Sequence, residues 1–183
     1  MKIVGFAGKA GAGKDTAALA LINEGWYKYS FAQPIRDGLE AMFGIPQKDM
    51  FDTHLKNQSN YKYGRSIRYM LQTLGTEWGR NMMSNEIWIQ RGMEICSQHE
   101  KVVIADVRYK NEAQAIRDAG GIIVEIVKHD PEYDKLVEIG GIIEHSSEEP
   151  LPREFIYVTI ENQSDIKTLW EQVFKVVSNH HAG

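Results

Sequence analysis

The sequence predicts a three-layer α/β domain in which helices cover both faces of a mainly parallel β-sheet. Short apolar segments typical of buried parallel strands alternate with longer segments whose apolar residues recur at helical spacing. The chain also opens with an apolar strand, a glycine-rich turn and a helix, an order typical of such sheets. A length of 183 residues suits one domain, so we expect residues 1–183 to fold as a single unit.

The glycine-rich turn at residues 8–14, called the phosphate loop below, fits the pattern G-x-x-x-x-G-K that cradles nucleotide phosphates. Glycines allow backbone conformations closed to other residues, so successive N–H groups can point inward at a helix N-terminus. Lys14 adds a mobile positive charge. A glycine-rich turn without a ligand is the alternative, but the apolar strand before it and the helix after it favour phosphate binding. The residues predicted to bind the nucleotide phosphates are Gly11, Ala12, Gly13, Lys14, Asp15 and Thr16.

One position departs from the general pattern. The residue after the lysine is usually Ser or Thr, whose hydroxyl binds Mg²⁺, whereas here Asp15 stands there and Thr16 follows. Asp106 ends a predicted buried strand, at the edge where open α/β sheets bind ligands. We therefore predict Asp15, Thr16 and Asp106 as metal-binding residues. Asp15 either contacts Mg²⁺ or positions the molecule to which a phosphate would be transferred.

The predicted strands share an apolar and largely β-branched composition: residues 2–7, 26–31, 101–106, 122–127 and 155–160. The first helix follows the phosphate loop and ends at Gly25, and a second begins at Pro34 and stops at Gly44. Ser66 is a predicted N-cap for a helix that Gly75 interrupts and Gly79 ends. Further helices are predicted over residues 85–98 and 111–119, and the last helix is capped by Ser164.

Two polar segments, around residues 45–65 and 128–153, contain no clear periodicity. Irregular connections of this length in a compact domain are usually functional or mobile. We interpret both as substrate-side or lid segments.

Composition limits the classes of partner. The net charge of −4 provides no global basic field, so a nucleic-acid partner is not expected.

The single cysteine, Cys96, excludes an internal disulfide framework and suits a reducing cytoplasm. We expect its side chain to be a small core residue. No apolar stretch reaches membrane-spanning length, and the N-terminus enters a strand directly, so neither a membrane segment nor a signal peptide is expected. His180 and His181 are expected in a frayed tail.

Several arginines predict a second anion site. Arg65 and Arg68 are spaced to share a helix face, and Arg36, Arg80 and Arg108 stand at the ends of predicted elements. A solvated basic face is the ordinary alternative. A kinase whose acceptor is itself a phosphate must bring two anions together and therefore needs arginines besides the loop lysine. Such an acceptor needs no general base, so the lack of an obvious catalytic His or Cys favours this chemistry.

The chain resembles the deoxynucleoside monophosphate kinases of tailed bacteriophages, a branch of the P-loop NTPase, nucleoside monophosphate kinase-like fold. The resemblance is carried by G-x-x-x-x-G-K-D-T at 8–16, A-Q-P-I-R-D at 32–37, S-I-R and L-Q-x-L-G-T between 66 and 76, D-x-R at 106–108 with Glu112, and H-S-S-E at 145–148. These blocks cover nearly the whole chain.

The resemblance implies transfer of the γ-phosphate of ATP, with Mg²⁺, to a deoxynucleoside monophosphate, as in phage deoxynucleotide synthesis. Lys14, Asp15, Arg68 and Arg108 are the expected catalytic residues, and Trp78 or Trp88 is the candidate for stacking on the base. The expected acceptor-side residues are Arg36, Asp37, Arg65, Arg68, Trp78, Arg80, Trp88, Asp106, Arg108 and Glu112. The sequence leaves open whether the protein forms a homodimer.

Two alternatives share the phosphate loop. Another small-molecule kinase, acting on phosphomevalonate or a coenzyme precursor, would need the same loop residues. A nucleotide-dependent switch would need no acceptor at all. A polynucleotide 5′-end kinase fits less well, because the chain lacks a basic stripe.

Overall fold

The computed structural model describes residues 1–9, 11–128 and 150–181 and confirms the predicted α/β architecture. One five-stranded sheet has the order β2-β3-β1-β4-β5, and every neighbouring pair is parallel. Its strands are β1 (Lys2–Ala7), β2 (Tyr27–Tyr29), β3 (Lys101–Ile104), β4 (Ile122–Val127) and β5 (Val158–Glu161).

The described helices connect these strands. They are α1 (Lys14–Asn23), α2 (Gln33–Phe43), α3 (Gln47–Phe51), α4 (Thr53–Asn57), α5 (Ile67–Gln72), a π-helix (Thr73–Met83), α6 (Ile87–Cys96), α7 (Lys110–Asp118), a 3₁₀-helix (Arg153–Phe155) and α8 (Ile166–His181). No helix in the part of the chain described here is long and apolar enough to cross a membrane.

The chain divides into two compact units. The sheet unit comprises Met1–Tyr29 and Ile95–Gly183, and the helical unit comprises Ser30–Glu94. The interpretation of residues 1–183 as a single domain stays a prediction.

The three layers of the sheet unit follow from the alternation of side chains along β1. Val4 and Phe6 are completely buried in a cluster with apolar residues of α1 and α8. Gly5 faces the other way, where a Cβ would lie 3.0 Å from Ile116 of α7. Helices therefore cover both faces of the sheet, and parallel strands buried on both faces are apolar throughout.

The helical unit has its own small core. Leu39, Ile45, Met50 and Ile67 are buried together, each at most 1% exposed. The first part of segment 45–65, predicted to be irregular, contains the short helices α3 and α4. Five-residue helices are too short to give a recognisable 3.6-residue periodicity, which explains the difference.

Two predicted helix boundaries were wrong. Gly79 does not end its helix, because the chain continues as a π-helix to Met83. A Cβ on Gly79 would lie 2.5 Å from the indole of Trp88, so this glycine permits close packing. At the last helix the carboxylate of Asp165, rather than Ser164, accepts from the N–H of Thr168 at 2.8 Å.

Other local predictions were confirmed. The Ser66 hydroxyl accepts from the N–H of Tyr69 at 3.1 Å and caps α5. Cys96 is a fully buried thiol at the end of α6. The prediction for His180 was wrong. It was expected in a frayed tail but belongs to α8, where its Nε2 lies 3.3 Å from the carbonyl of Gly120.

Candidate active site

The phosphate loop joins β1 to α1 at the carboxyl edge of the sheet, where open α/β sheets bind ligands. Gly8, Gly11 and Gly13 have φ values of +132°, +78° and +102°, all in the region that favours glycine. A Cβ on Gly8 would also overlap the carbonyl oxygen of Ile126. The glycines are therefore required by the backbone path of the loop. Ala10 lies outside the described residues.

Lys14 begins α1 and folds back over the phosphate loop. Its Nζ donates to the carbonyl oxygens of Gly8 and Lys9, each at 2.7 Å. The ammonium group thus lies above the loop whose N–H groups are expected to bind phosphate. The role of Lys14 as a cation that follows a phosphate stays a prediction.

Asp15 pairs with a residue that the sequence did not single out. Its carboxylate lies 3.1 Å from Nζ of Lys28 on β2, and the two side chains are 80% and 46% exposed. Exposed pairs of this kind contribute at most about 1 kcal/mol. A weak pair leaves the carboxylate able to exchange its partner for another cation.

Asp106 and Arg108 lie beside the end of β1. The N–H of Val107, between them, donates to the carbonyl of Phe6 at 3.2 Å. Arg108 lines a recess of about 120 Å³ together with Gly8, Lys9 and other residues of the loop and of β4. The structure therefore brings the predicted D-x-R segment next to the phosphate loop.

Glu112 holds this segment in place. The side chain is only 2% exposed, and its carboxylate accepts from the N–H groups of Arg108 at 2.8 Å and Tyr109 at 3.1 Å. A buried carboxylate bound to backbone donors fixes the backbone that carries Arg108. Its predicted contact with the acceptor stays a prediction.

The donor atoms near the loop are of the kind that Mg²⁺ prefers. No group of three or more His, Cys, Asp or Glu side chains in the described ranges could hold a metal on its own. Mg²⁺ usually binds through one or two carboxylates together with substrate phosphates, so such a group is not required. Thr16 in the first turn of α1 and Asp106 after β3 follow neighbouring strands at the same edge of the sheet.

Two of the predicted acceptor residues, Arg36 and Asp37, lie near the start of α2 in the helical unit. Arg36 donates to the Ser30 hydroxyl at 2.7 Å, and its guanidinium lies 4.9 Å from the centre of the Phe51 ring. Asp37 accepts from the side-chain amides of Gln33 and Gln47 at 2.7 and 2.9 Å. These contacts hold both charged side chains in defined positions.

Arg65 and Arg68 are exposed at the start of α5. Arg68 donates to the side-chain oxygen of Asn57 at 2.6 Å. The guanidinium of Arg65 lies 5.2 Å from the centre of the Tyr69 ring. A cation next to an exposed aromatic ring could serve both the phosphate and the base of a nucleotide.

The two tryptophans differ in accessibility. Trp88 is 8% exposed and donates from Nε1 to the carbonyl of Gly75 at 2.8 Å, so it belongs to the core. Trp78 is 41% exposed, with its ring centre 6.4 Å from that of Trp88. Trp78 is therefore the better candidate for stacking on a base. Arg80 is 9% exposed and donates to the carbonyl of Asn85 at 3.2 Å, which ties down the end of the π-helix.

A second residue near the loop, besides Lys28, escaped the sequence analysis. Asn162, directly after β5, donates from its side chain to the carbonyl of Ala12 at 2.8 Å. Its only sequence signal is its position at the end of the last strand. Segment 128–153 is described only at Lys128 and from Pro150 onward, so His145 and its neighbours lie outside the described residues.

A phosphate loop at the edge of an all-parallel sheet defines the class of P-loop kinases and related NTP-binding enzymes. Solved structures agree at the level of the fold. An APS kinase from Mycobacterium tuberculosis superposes with a TM-score of 0.53 at 14% identity, covering 97% of both chains. A dephospho-CoA kinase from Campylobacter jejuni gives 0.52 at 14%, covering 97% of this chain and 96% of that one.

The family itself is shown by sequence. The profile of the family "Deoxynucleotide monophosphate kinase" matches residues 45–173, and the chain belongs to this family. A protein of Acanthamoeba polyphaga mimivirus, provisionally named deoxynucleotide monophosphate kinase, is 26% identical over 98% of this chain and 97% of its own length. The deoxynucleoside-5′-monophosphate kinase of Escherichia phage T5 is 24% identical over 89% of this chain and 90% of its own.

Membership of this family confirms the predicted resemblance and makes the chain a phosphotransferase. It also implies ATP as the phosphate donor and a small molecule as the acceptor.

Proposed function

We propose that this chain transfers the γ-phosphate of ATP to a deoxynucleoside monophosphate and releases the diphosphate and ADP. The observation that carries the proposal is Lys14, held 2.7 Å from two carbonyls of the phosphate loop in a member of this kinase family. An oxygen of the acceptor phosphate attacks the γ-phosphorus, and the bond from that phosphorus to the oxygen bridging the β-phosphate breaks. ADP leaves with that oxygen.

The donor side is assigned to the sheet unit. Backbone N–H groups from Gly11 to Thr16 bind the β- and γ-phosphates, and Lys14 stabilises the charge that develops during transfer. Arg108, fixed through Glu112, adds a second positive charge beside the loop. Position and charge suffice here, because an ionised phosphate acceptor is already a nucleophile.

The acceptor side is assigned to the helical unit. Arg36, Arg65 and Arg68 are assigned to the acceptor phosphate, with Asp37 orienting the site through its contacts to Gln33 and Gln47. Trp78 is assigned to the base because it is exposed. Arg80 and Trp88 are buried in this unit, so they are not assigned a direct contact with the acceptor.

Mg²⁺ would be held by the donor phosphates together with Thr16, Asp106 and Asp15. It would supply neutralisation of the charge on the β- and γ-phosphates. Asp15 would exchange Lys28 for the metal, and the exposure of that pair makes the exchange inexpensive.

A coupled assay for ADP release tests the function. The purified protein is supplied with ATP, Mg²⁺ and each deoxynucleoside or ribonucleoside monophosphate in turn, with phosphomevalonate, dephospho-CoA and no acceptor as further arms. We expect turnover with at least one deoxynucleoside monophosphate. Turnover with only one of the other acceptors would replace the proposal, and ATP binding without acceptor-stimulated ADP release would favour a switch.

Two matched lysine variants accompany the assay. Lys14→Ala is expected to lower kcat/KM by at least about 100-fold, because it removes a charge that stabilises the transition state. Lys175→Ala removes an equally charged but exposed side chain on α8 and is expected to leave kcat/KM unchanged. A Lys14→Ala protein that keeps full transfer activity would contradict the assigned mechanism.

A further inference from the structure

Asn162 connects the end of the edge strand β5 to the phosphate loop. It is the first residue after β5, and its backbone N–H donates to the carbonyl of Val127 at the end of β4, at 2.7 Å. Its side-chain Nδ2 donates to the carbonyl of Ala12 at 2.8 Å, across 150 residues of sequence. The backbone of Asn162 is thus anchored to the sheet while its side chain contacts the loop.

The side chain also packs directly against Gly13. A Cβ at residue 13 would overlap the Nδ2 atom of Asn162. Gly13 therefore serves two needs, since it has a φ of +102° and leaves the space that the amide of Asn162 occupies.

The contact fixes the direction of a phosphate-binding N–H group. The carbonyl of Ala12 and the N–H of Gly13 belong to one planar trans peptide unit, so they point in opposite directions. A donor that holds the carbonyl on one side necessarily turns the N–H of Gly13 to the other side. Inward-pointing N–H groups are what make such a loop an anion site.

We propose that Asn162 is a positioning residue for the donor nucleotide. By holding the peptide unit between Ala12 and Gly13, it keeps the N–H of Gly13 available to a phosphate of ATP before ATP arrives. The identity of the ligand as ATP rests on the proposed function. The role is one of preorganisation, which improves binding by reducing the ordering needed at the moment of binding.

Trp170 provides a matched comparison. Its Nε1 donates to the carbonyl of Thr16 at 2.9 Å, so it is also a side-chain donor that reaches a backbone carbonyl across the core. The carbonyl of Thr16 lies within α1, where the helix itself fixes the peptide units. Loss of this bond should reduce stability without redirecting an N–H group of the loop.

The test compares Asn162→Leu with Trp170→Phe. Each variant removes one N–H donor and keeps a side chain of similar size. Calorimetry gives the Kd for ATP in the absence of an acceptor, steady-state kinetics give KM for ATP and for the acceptor, and thermal melting gives Tm. Because the Kd needs no acceptor, it tests Asn162 even if no deoxynucleoside monophosphate is phosphorylated.

We expect Asn162→Leu to raise the Kd and KM for ATP by about threefold to tenfold, the range that loss of one hydrogen bond gives. The acceptor KM should stay within about twofold. Trp170→Phe should lower Tm but leave the Kd for ATP within about twofold. If Asn162→Leu does not fold, Asn162→Ser replaces it with the same expectations, because the shorter side chain cannot span the distance to Ala12.

Three results would overturn the proposal. The first is an unchanged Kd for ATP in a folded Asn162 variant. The second is an equal rise of the KM for ATP and of the KM for the acceptor in the Asn162 variant, which would indicate general loss of structure. The third is an equal loss of ATP affinity in Trp170→Phe.

Discussion

The ammonium group of Lys28 lies 3.1 Å from the carboxylate of Asp15, which occupies the position usually held by a metal-binding hydroxyl. The unusual residue directly after the phosphate loop therefore pairs with a residue of strand β2. If Asp15 serves Mg²⁺, the two partners of this pair must have unequal effects on catalysis.

We accordingly predict different results for the two partners. Lys28→Met should change the free energy of unfolding by less than about 1 kcal/mol, because both side chains are well exposed. Asp15→Asn should lower kcat and raise the Mg²⁺ concentration that gives half-maximal rate. Urea unfolding and Mg²⁺ titrations of the rate measure these effects. Equal loss of kcat in both variants, with unchanged Mg²⁺ dependence, would assign the effect to the pair itself.

Gly8→Ala should destabilise the protein more than Gly25→Ala. Both glycines have positive φ, at +132° and +80°, so both substitutions strain the backbone. Only at Gly8 would the new Cβ also overlap a backbone atom, the carbonyl of Ile126, whereas nothing lies within 4 Å of a Cβ on Gly25. The difference between the two free energies of unfolding contains the cost of this overlap together with any difference in backbone strain between the two φ values. Equal free energies of unfolding for the two variants would show that the backbone of β4 at Ile126 can shift to make room for the new Cβ.

Glu112→Gln should weaken both the fold and the Arg108 segment. One oxygen of the buried carboxylate, Oε2, accepts both backbone N–H bonds. A neutral amide oxygen accepts more weakly than a carboxylate, so we expect a loss of about 2 kcal/mol over the two bonds. The rate of phosphoryl transfer should fall as Arg108 loses its fixed position. Chemical denaturation and kcat measure the two effects, and Glu24→Gln, at an exposed position, serves as control. A fully active and fully stable Glu112→Gln protein would contradict the positioning role.

Burial raises the pKa of the Cys96 thiol from 9.0 to about 12. The native thiol should therefore stay protonated and should react at pH 9 at least about 100-fold more slowly than in the unfolded chain. Because the folded pKa lies above the unfolded one, its contribution to stability is complete below pH 9 and is lost between pH 9 and 12. Labelling with a thiol reagent, with and without 8 M urea (roughly full denaturation), measures the rates. Rapid labelling of the native protein would refute this burial.

Local signals in the sequence predicted much of the sheet unit and of its loop, and one helix cap in the helical unit. The glycines of the phosphate loop and the cap at Ser66 were predictable, because steric and capping preferences act over a few residues. The continuation of the helix through Gly79 was not predicted. A Cβ at this position would overlap the indole of Trp88, so the glycine is required by a packing contact and does not end the helix.

Long-range contacts also limited the prediction of the site. Asn162 reaches Ala12 across 150 residues, and a single sequence contains no signal for that pairing. The pattern placed Trp78 and Trp88 on equal terms as base-stacking candidates, and only their 41% and 8% exposure separates them. Composition and spacing thus predicted which chemistry to expect, while tertiary packing determined which side chains can perform it.

The position of β1 in the sheet has a consequence for synthesis of the chain. This strand is translated before the other described strands, yet it pairs with β3 and β4, which begin at Lys101 and Ile122. The contact from Asn162 to the loop needs still more of the chain. Such non-local pairing is slow to form, and the first strand waits unpaired while the intervening residues are translated. Nascent chains that end before β5 should therefore fail to retain nucleotide, so ATP binding would report that β5 has been translated.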